Sequence, residues 1–538
     1  MRRVLFTLFI CAPLAAAQST RRVSLDSLGH EAHGHSTEAC LSADGRFIAF
    51  QSSAADLVAG DTNNITDVFV HDQLSGQTTR VSVSSTGSQA LWGGSEPSIS
   101  ADGRFIAFIS ISDDLVPNDT NGKLDVFVHD RQNGETTRVS VDSSGRQAFL
   151  GGDAPKISAD GRFVAFVSQS KDLVANDTND QLDAFVHDCQ TGETTRVSVD
   201  SFGNQAEFGS PWDDFLTISA DGRFVAFEST SNDLVANDSN GFTDTFVHDR
   251  LTGETTRISV SSSGAEANWN CLFPTISADG RFVAFLSNAD NLVSGDSNGT
   301  SDVFLHDRET GVTSRVSVNT LGAQGNGNCQ ELTISSDGRF VAFLSTSDNL
   351  VAGDNNFSPD VFLRDRQQSL TTRLSVDNFG QEAHLGAARP SLSASGRYLV
   401  FDSLSDNLVP GDTNNLMDVF LRDRGTGSNQ NRLILAGPFY TLVGFPLELR
   451  WFGAPPNSNY YLFYSMNLNG TVFAGHSFDL GQPLVLLDSG VNSPGGSGSY
   501  TSPVVPSGAA GMTVYFELAA RDGNGLISDS IAQPVTFF

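Results

Sequence analysis

The amino-acid sequence predicts an all-β protein: a seven-bladed β-propeller followed by a small C-terminal β-sandwich. Three observations carry this prediction. The motif S-x-D-G-R-F/Y-x-x-F, with Ser395 in place of Asp in the last copy, recurs seven times between Asp44 and Ser395 at a period of 58 residues, broken by one step of 61. Each copy holds four short β-branched and aromatic runs split by turn residues, and the 3.6-residue apolar period of a helical solenoid is nowhere visible. A surplus strand-like segment stands ahead of the first copy.

Taken in order, residues 1–17 carry two arginines, an apolar run from Val4 to Leu14 and the small-residue end Ala15-Ala16-Ala17, the grammar of a secretory leader. Next comes the surplus strand, Arg21 to Asp26, which matches Thr79 to Val83 of the first unit. The second unit shows the repeat plainly. Ile99-Ser100 and Phe105-Ile106-Ala107-Phe108 flank Asp102-Gly103, a hairpin signal because both central residues of such a turn take positive φ; these are strands A and B. Val126-Phe127-Val128 and Val139-Ser140-Val141, separated by a turn containing Gly134, are strands C and D. Four antiparallel strands at this period fit a propeller blade. The surplus strand can complete the last blade, whose own A to C strands occupy Pro390 to Asp423, and so remove the ring's open edge. Asn431 to Leu435 offers a rival D strand; closure by the N-terminal strand is the reading adopted. From 436 to 538 the repeat stops. Runs such as Tyr460 to Tyr464, Leu484 to Leu487 and Thr513 to Leu518, spaced by Gly/Pro/Ser-rich turns, predict a separate β-sandwich. The domains are thus a leader (1–17), a propeller (18–435) and an accessory domain (436–538).

The formal charge of −30 repels nucleic acid and anionic membranes. Beyond the leader no segment reaches the roughly 18–20 apolar residues of a membrane helix. The expected product is secreted or periplasmic, a monomer without a membrane span or nucleic-acid partner. Cys271 and Cys329 each stand eight residues before their unit's Asp-Gly aspartate. A disulfide between these equivalent points is conceivable in an exported protein if the Cα atoms lie within about 7 Å. Cys40 and Cys189 read as buried or bystander thiols.

A residue present in every unit is explained first by what every blade needs. Asp44-Gly45-Arg46 and its copies are turn chemistry, and their arginines, with those of the Thr-Thr-Arg strand, are expected to pair with aspartates between blades. His71, His129, His187, His248 and His306 give way to Arg364 and Arg422 in the last two units, which disfavours metal binding because a guanidinium does not ligate as imidazole does.

The strongest chemical constellation is Asp-x-Asn-x-x-x-Asp in the B to C loop: Asp61, Asn63, Asp67; Asp119, Asn121, Asp125; Asp177, Asn179, Asp183; Asp238, Asn240, Asp244; Asp296, Asn298, Asp302; Asp354, Asn356, Asp360; Asp412, Asn414, Asp418. Two carboxylates and an amide oxygen could supply three of the six to eight oxygens calcium takes, so calcium is the one cofactor these loops raise. Turn scaffolding without metal is the competing explanation.

Ligand binding is expected where the sevenfold symmetry breaks. The D to A loops carry Trp92, Phe149, Phe208, Trp212 and Trp269, with His33 and His384. Just before the A strands stand Glu38, Glu96, Asp153, Asp214, Glu331 and Arg389, a candidate acidic rim at the central channel suited to a cationic, sugar-like or peptide ligand.

S-x-D-G-R-F-x-A-F followed by D-V-F-V-H-D-R-x-T-G-x-T-T-R-V-S resembles the TolB-type, WD-like propeller repeats of bacterial exported proteins, over Arg21 to Arg424. The resemblance implies the fold. The chain lacks TolB's α/β N-terminal domain and has seven units where TolB has six, and it contains no G-x-S-x-G elbow of the hydrolases that such propellers gate. The functional expectation is an exported, non-enzymatic scaffold binding a protein, peptide or glycan. The rival is a lyase or glycosidase using rim carboxylates at the channel mouth.

Overall fold

The computed structural model describes residues 18–209 and 216–425 in full and, beyond them, the backbone of strands between Ile434 and Phe537. Seven four-stranded antiparallel sheets form the propeller. In the first, Ser36–Leu41, Phe47–Ser52, Asp67–Asp72 and Gln77–Arg80 are strands A to D. The A strands of successive blades touch one another and the seventh touches the first, so they line the axis.

The ring closes through the N-terminal strand. Ser19–Arg22 pairs with Asp418–Asp423, the C strand of the blade built from Ala388–Leu392 and Tyr398–Ser403. Ile434–Ala436, the rival, pairs instead with Pro446–Phe452. A second closure runs through the A to B turns. The N–H of Ala43 donates to Ala101 O, Ala101 to Ala159, Ala159 to Ala220, Ala220 to Ala278, Ala278 to Ser336, Ser336 to Ala394, and Ala394 back to Ala43, all at 2.9–3.1 Å. The residue before each Asp-Gly thereby stitches its blade to the next.

The apolar cores lie between blades. Val68, Val70 and Val81 of the first blade share a core with Ile106, Phe108 and Phe127 of the second, and Val23, Val400 and Leu421 of the seventh pack on Ile48, Phe50 and Phe69 of the first. The motif's first aromatic residue locks each seam. Phe47 carries the Arg46 guanidinium 4.6 Å from its ring centroid and Arg131 of the next blade at 4.5 Å, and it lies against Gly103 of that blade. Gly103 has φ +72°, and a Cβ there would stand 2.3 Å from the Phe47 ring. The glycine is therefore required twice, by its turn and by its neighbour.

The expected inter-blade pairing of arginines is corrected. Arg46 is bidentate to Asp72 of its own blade, at 2.9 and 2.8 Å, and Arg80 contacts Asp61 and Asp67, also of its own blade. The reason is register: antiparallel pairing of strands B and C brings Phe47 opposite Asp72, and pairing of C and D brings Arg80 opposite Phe69. What crosses the seam is the packing of Phe47 against Arg131 and Gly103 of the next blade, together with the backbone hydrogen bond from Ala43 to Ala101 O.

The chain divides into two compact units, 1–425 and 426–538. In the second, one sheet joins Ile434–Ala436, Pro446–Phe452 and Gly498–Val504, and a larger one contains Asn459–Ser465, Val485–Val491, Thr513–Arg521 and Gln533–Phe537. The leader at 1–17, and Trp212 and Asp214, lie outside the described residues.

Candidate functional site

The B to C loops are held by a guanidinium. In the first blade Arg80 Nη1 lies 3.3 Å from Asp61 Oδ1 and 3.7 Å from Asp67 Oδ2, while Ser82 donates to Asp67 Oδ1 at 2.5 Å. Asn63 turns its NH2 toward Asp67 and Ala90 O, and its oxygen accepts the N–H of Ile65. The same arrangement holds Asp354, Asn356 and Asp360 around Arg373 and Asp412, Asn414 and Asp418 around Arg22. In three blades a glutamate joins: Glu266, Glu382 and Glu31 contact Arg257, Arg373 and Arg22 at 3.1, 2.7 and 2.9 Å. Asp354, Asp360 and Glu382 come close enough together to hold an ion. A guanidinium bridges these carboxylates in the position an ion would take, and the amide oxygen accepts one backbone N–H. Burial pushes Asp125, Asp244, Asp354 and Asp412 up to about 6, the cost of placing carboxylates where one arginine serves two or three.

The recurrent histidines are buried and neutral. His71 Nδ1 meets Thr78 Oγ1 at 2.9 Å, and Thr78 donates to Leu25 O of the preceding blade. Arg364 Nη1 donates to Thr371 in the same way at 3.0 Å, which explains the exchange of His for Arg. Burial lowers His129 to about 4. Cys271 and Cys329 are free, buried thiols directed at Ser287 and Ser345 of their own blades.

At the channel mouth six of the seven A strands bulge through a residue with positive φ, Glu38 (55°), Glu96 (53°), Ala154 (51°), Phe273 (58°), Glu331 (33°) and Arg389 (50°), whereas Leu216–Ile218 of blade four pairs without a bulge over its described residues. None is glycine, so each stores roughly 1–3 kcal/mol of backbone strain. Side chains of the preceding blade hold most of them: Asp402 accepts the N–H of Glu38, Gln51 that of Glu96, Glu228 that of Phe273 and Glu331 that of Arg389. Of the predicted rim, Glu38, Glu96, Glu331 and Arg389 occupy the bulge, whereas Asp153 sits one residue earlier and accepts the N–H of Ala154. The rim is polarised, with charged residues on blades six, seven, one and two and Ala154 and Phe273 on blades three and five.

Asp402, which the sequence reading passed over, is fully buried beneath this rim. Its Oδ2 accepts the Glu38 N–H at 2.9 Å and lies 3.5 Å from Arg389 Nη1, while Oδ1 has no hydrogen-bond donor. Burial pushes its pKa up to about 8, with Glu38 and Glu331 acting in the same direction and Arg389 against it. A signal was present: the equivalent B-strand positions are Ile109, Val167, Leu286 and Leu344 in four blades, so Asp402, like Gln51 and Glu228, is a polar residue at a position that is apolar in most blades.

The D to A loops rest on identical backbone frames. The N–H groups of His33, Leu91, Phe149, Asn268, Asn326 and His384 each donate to the Asp or Asn of the following blade's B to C segment (Asp56, Asp114, Asp172, Asn291, Asn349, Asn407) at 3.1–3.2 Å. The next N–H often meets a serine: Trp92 on Ser112 at 2.6 Å, Leu150 on Ser170 at 2.6 Å, Phe208 on Ser231 at 3.1 Å. The residue pairs these frames carry differ from blade to blade, and their aromatic side chains are exposed: Trp92 56%, Phe149 72%, Phe208 48%, Trp269 50%. Trp269 stacks on Phe242 with centroids 5.1 Å apart.

No family model and no curated protein matches the chain. Similar solved structures include a TolB from Agrobacterium tumefaciens (16% identity, TM-score 0.33, 56% of this chain and 89% of that one). They also include the RRP9 WD40 repeats (11%, 0.39, 76% and 99%) and the extracellular domain of the hybrid two-component system BT4673 from B. thetaiotaomicron (8%, 0.39, 97% and 60%).

Proposed function

We propose that the chain is an exported, non-enzymatic binding scaffold whose D to A face docks a protein or peptide partner, with residues 436–538 as an accessory β-sandwich. One observation carries this reading: near-identical backbone frames, repeated around the ring, present a different pair of residues in each blade. A rigid frame with variable, exposed side chains is how a binding surface gains specificity at small entropic cost. Leu91, Trp92, Phe149, Leu150 and Phe208 place exposed apolar side chains on three consecutive blades of a protein with a formal charge of −30. The leader-like segment at 1–17 supports export.

The enzyme reading draws no comparable support. A glycosidase needs two carboxylates across one pocket. Glu38 and Glu331 flank Arg389, the Glu96 N–H is held by Gln51, and Asp153 accepts the N–H of its neighbour Ala154. The loops' resident cation is taken to be arginine, with no calcium required.

Screening residues 18–538 on a peptide and glycan array, with Trp92→Ala and Phe149→Ala in parallel, tests the reading. The expected result is a peptide hit that both substitutions weaken at unchanged melting temperature. A glycan hit indifferent to both substitutions would refute the docking face.

A further inference from the structure

A cavity of about 300 Å³ opens between blades five and six beside the channel mouth. That is the lower end of the range for small-ligand sites. Leu272, Leu286 and Phe273 supply its apolar wall, Asn288 and Gln330 its neutral polar wall, and Glu331 its one charge; no basic side chain is among the lining residues. Phe273 and Glu331 are both positive-φ bulge residues, so two of the strained positions of the rim meet at this one cavity.

The electrostatics are asymmetric. Glu331 spends Oε2 on the backbone N–H of Arg389 at 2.5 Å, and among the described residues it forms no ion pair. The guanidinium of Arg389 goes instead to Glu38 at 3.8 Å and Asp402 at 3.5 Å. The lining is apolar at Leu286, where blades four and seven have the charged Glu228 and Asp402 and blade one Gln51. An apolar slot ending on a carboxylate with an open oxygen and amide oxygens beside it matches an alkyl chain ending in a multiple N–H donor, and an aromatic ring at the wall adds attraction for a cation.

We infer that this cavity binds a primary ammonium group on an aliphatic stem, carried either by a free amine or by a lysine side chain of a polypeptide. The stem lies against Leu272, Leu286 and Phe273, and the ammonium donates to Glu331 and to the amide oxygens of Asn288 and Gln330. This goes beyond the docking face and stands without it, since the free-amine measurement involves no residue of that face.

The test uses residues 18–538 and ligand-observed NMR or calorimetry at 0.15 M salt. The probes are n-pentylammonium, 1-pentanol and hexanoate, together with acetyl-Gly-Lys-Gly-amide and its norleucine counterpart. Pentylammonium is expected to bind at least about tenfold more tightly than 1-pentanol, the step a charge-assisted hydrogen bond gives, with hexanoate silent. Glu331→Gln keeps an oxygen for the Arg389 N–H and is expected to remove that tenfold at unchanged melting temperature. Glu135→Gln, an exposed acid at the start of blade two's D strand, is expected to leave binding intact. The lysine peptide binding more tightly than pentylammonium assigns the polypeptide source, and the reverse order the free amine. Equal binding of pentanol and pentylammonium by the native protein overturns the proposal, as does equal weakening by Glu331→Gln and Glu135→Gln, which would mean nonspecific attraction to an acidic protein.

Discussion

Asp402 shows how one side chain can set a pH dependence. Its folded pKa, raised to about 8, lies above the ordinary carboxylate value of 3.8. The folded state therefore holds a proton that the unfolded chain has released, and the stability this confers is complete below about pH 4 and lost progressively up to about pH 8. Glu38, Glu331 and Arg389 are the charged groups that face it. Asp402→Asn retains an acceptor for the Glu38 N–H and cannot ionise. Its melting temperature is expected to rise relative to the native protein between pH 5 and pH 8 and to level off above; a constant difference across that window would show that Asp402 does not titrate there. A second residue-scale prediction concerns Arg373, which faces Asp354, Asp360 and Glu382. Removing one partner of a buried ion cluster costs about 3–5 kcal/mol. Arg373→Ala is expected to melt lower and to regain part of the loss in millimolar calcium, whereas chelator leaves the native melting curve unmoved. A native protein that loses stability in chelator would make calcium, and not the guanidinium, the resident cation.

Among the elements, the A to B turn joins two jobs. Gly103→Ala meets both a positive φ and the Phe47 ring, whereas Gly122→Ala meets a positive φ of 62° with no atom within 4 Å. Strain alone costs about 1 kcal/mol at a glycine turn. Gly122→Ala is therefore expected to lower stability by about that much and Gly103→Ala by clearly more, measured by denaturant midpoint; equal losses would mean the seam yields to the added methyl. The D to A frame makes the complementary case. Asp172→Ala frees the Phe149 N–H without touching a core, so it is expected to weaken partner binding more than it lowers the melting temperature.

For the whole molecule, ring closure is the decisive event. The strand Ser19–Arg22 supplies the last blade's outer edge and brings Thr20 and Gln18 to the buried guanidinium of Arg422 at 2.9 Å each. Deleting residues 18–22 is expected to lower the melting temperature sharply and to drive self-association through the exposed edge of Asp418–Asp423, readable by light scattering. Much of this architecture was legible in the sequence. Period, turn residues and strand composition are local properties, and seven near-copies of them determined the blades, the turns and the surplus strand that closes the ring. Other features depended on which strands lie side by side. Antiparallel register placed the arginines inside their own blades, the Thr-Thr-Arg guanidinium between loop carboxylates that read as calcium ligands, and Asp402 beneath the rim. A side chain's partner across a seam or a sheet is set by distances between segments far apart in the chain, and only the tertiary structure decided those.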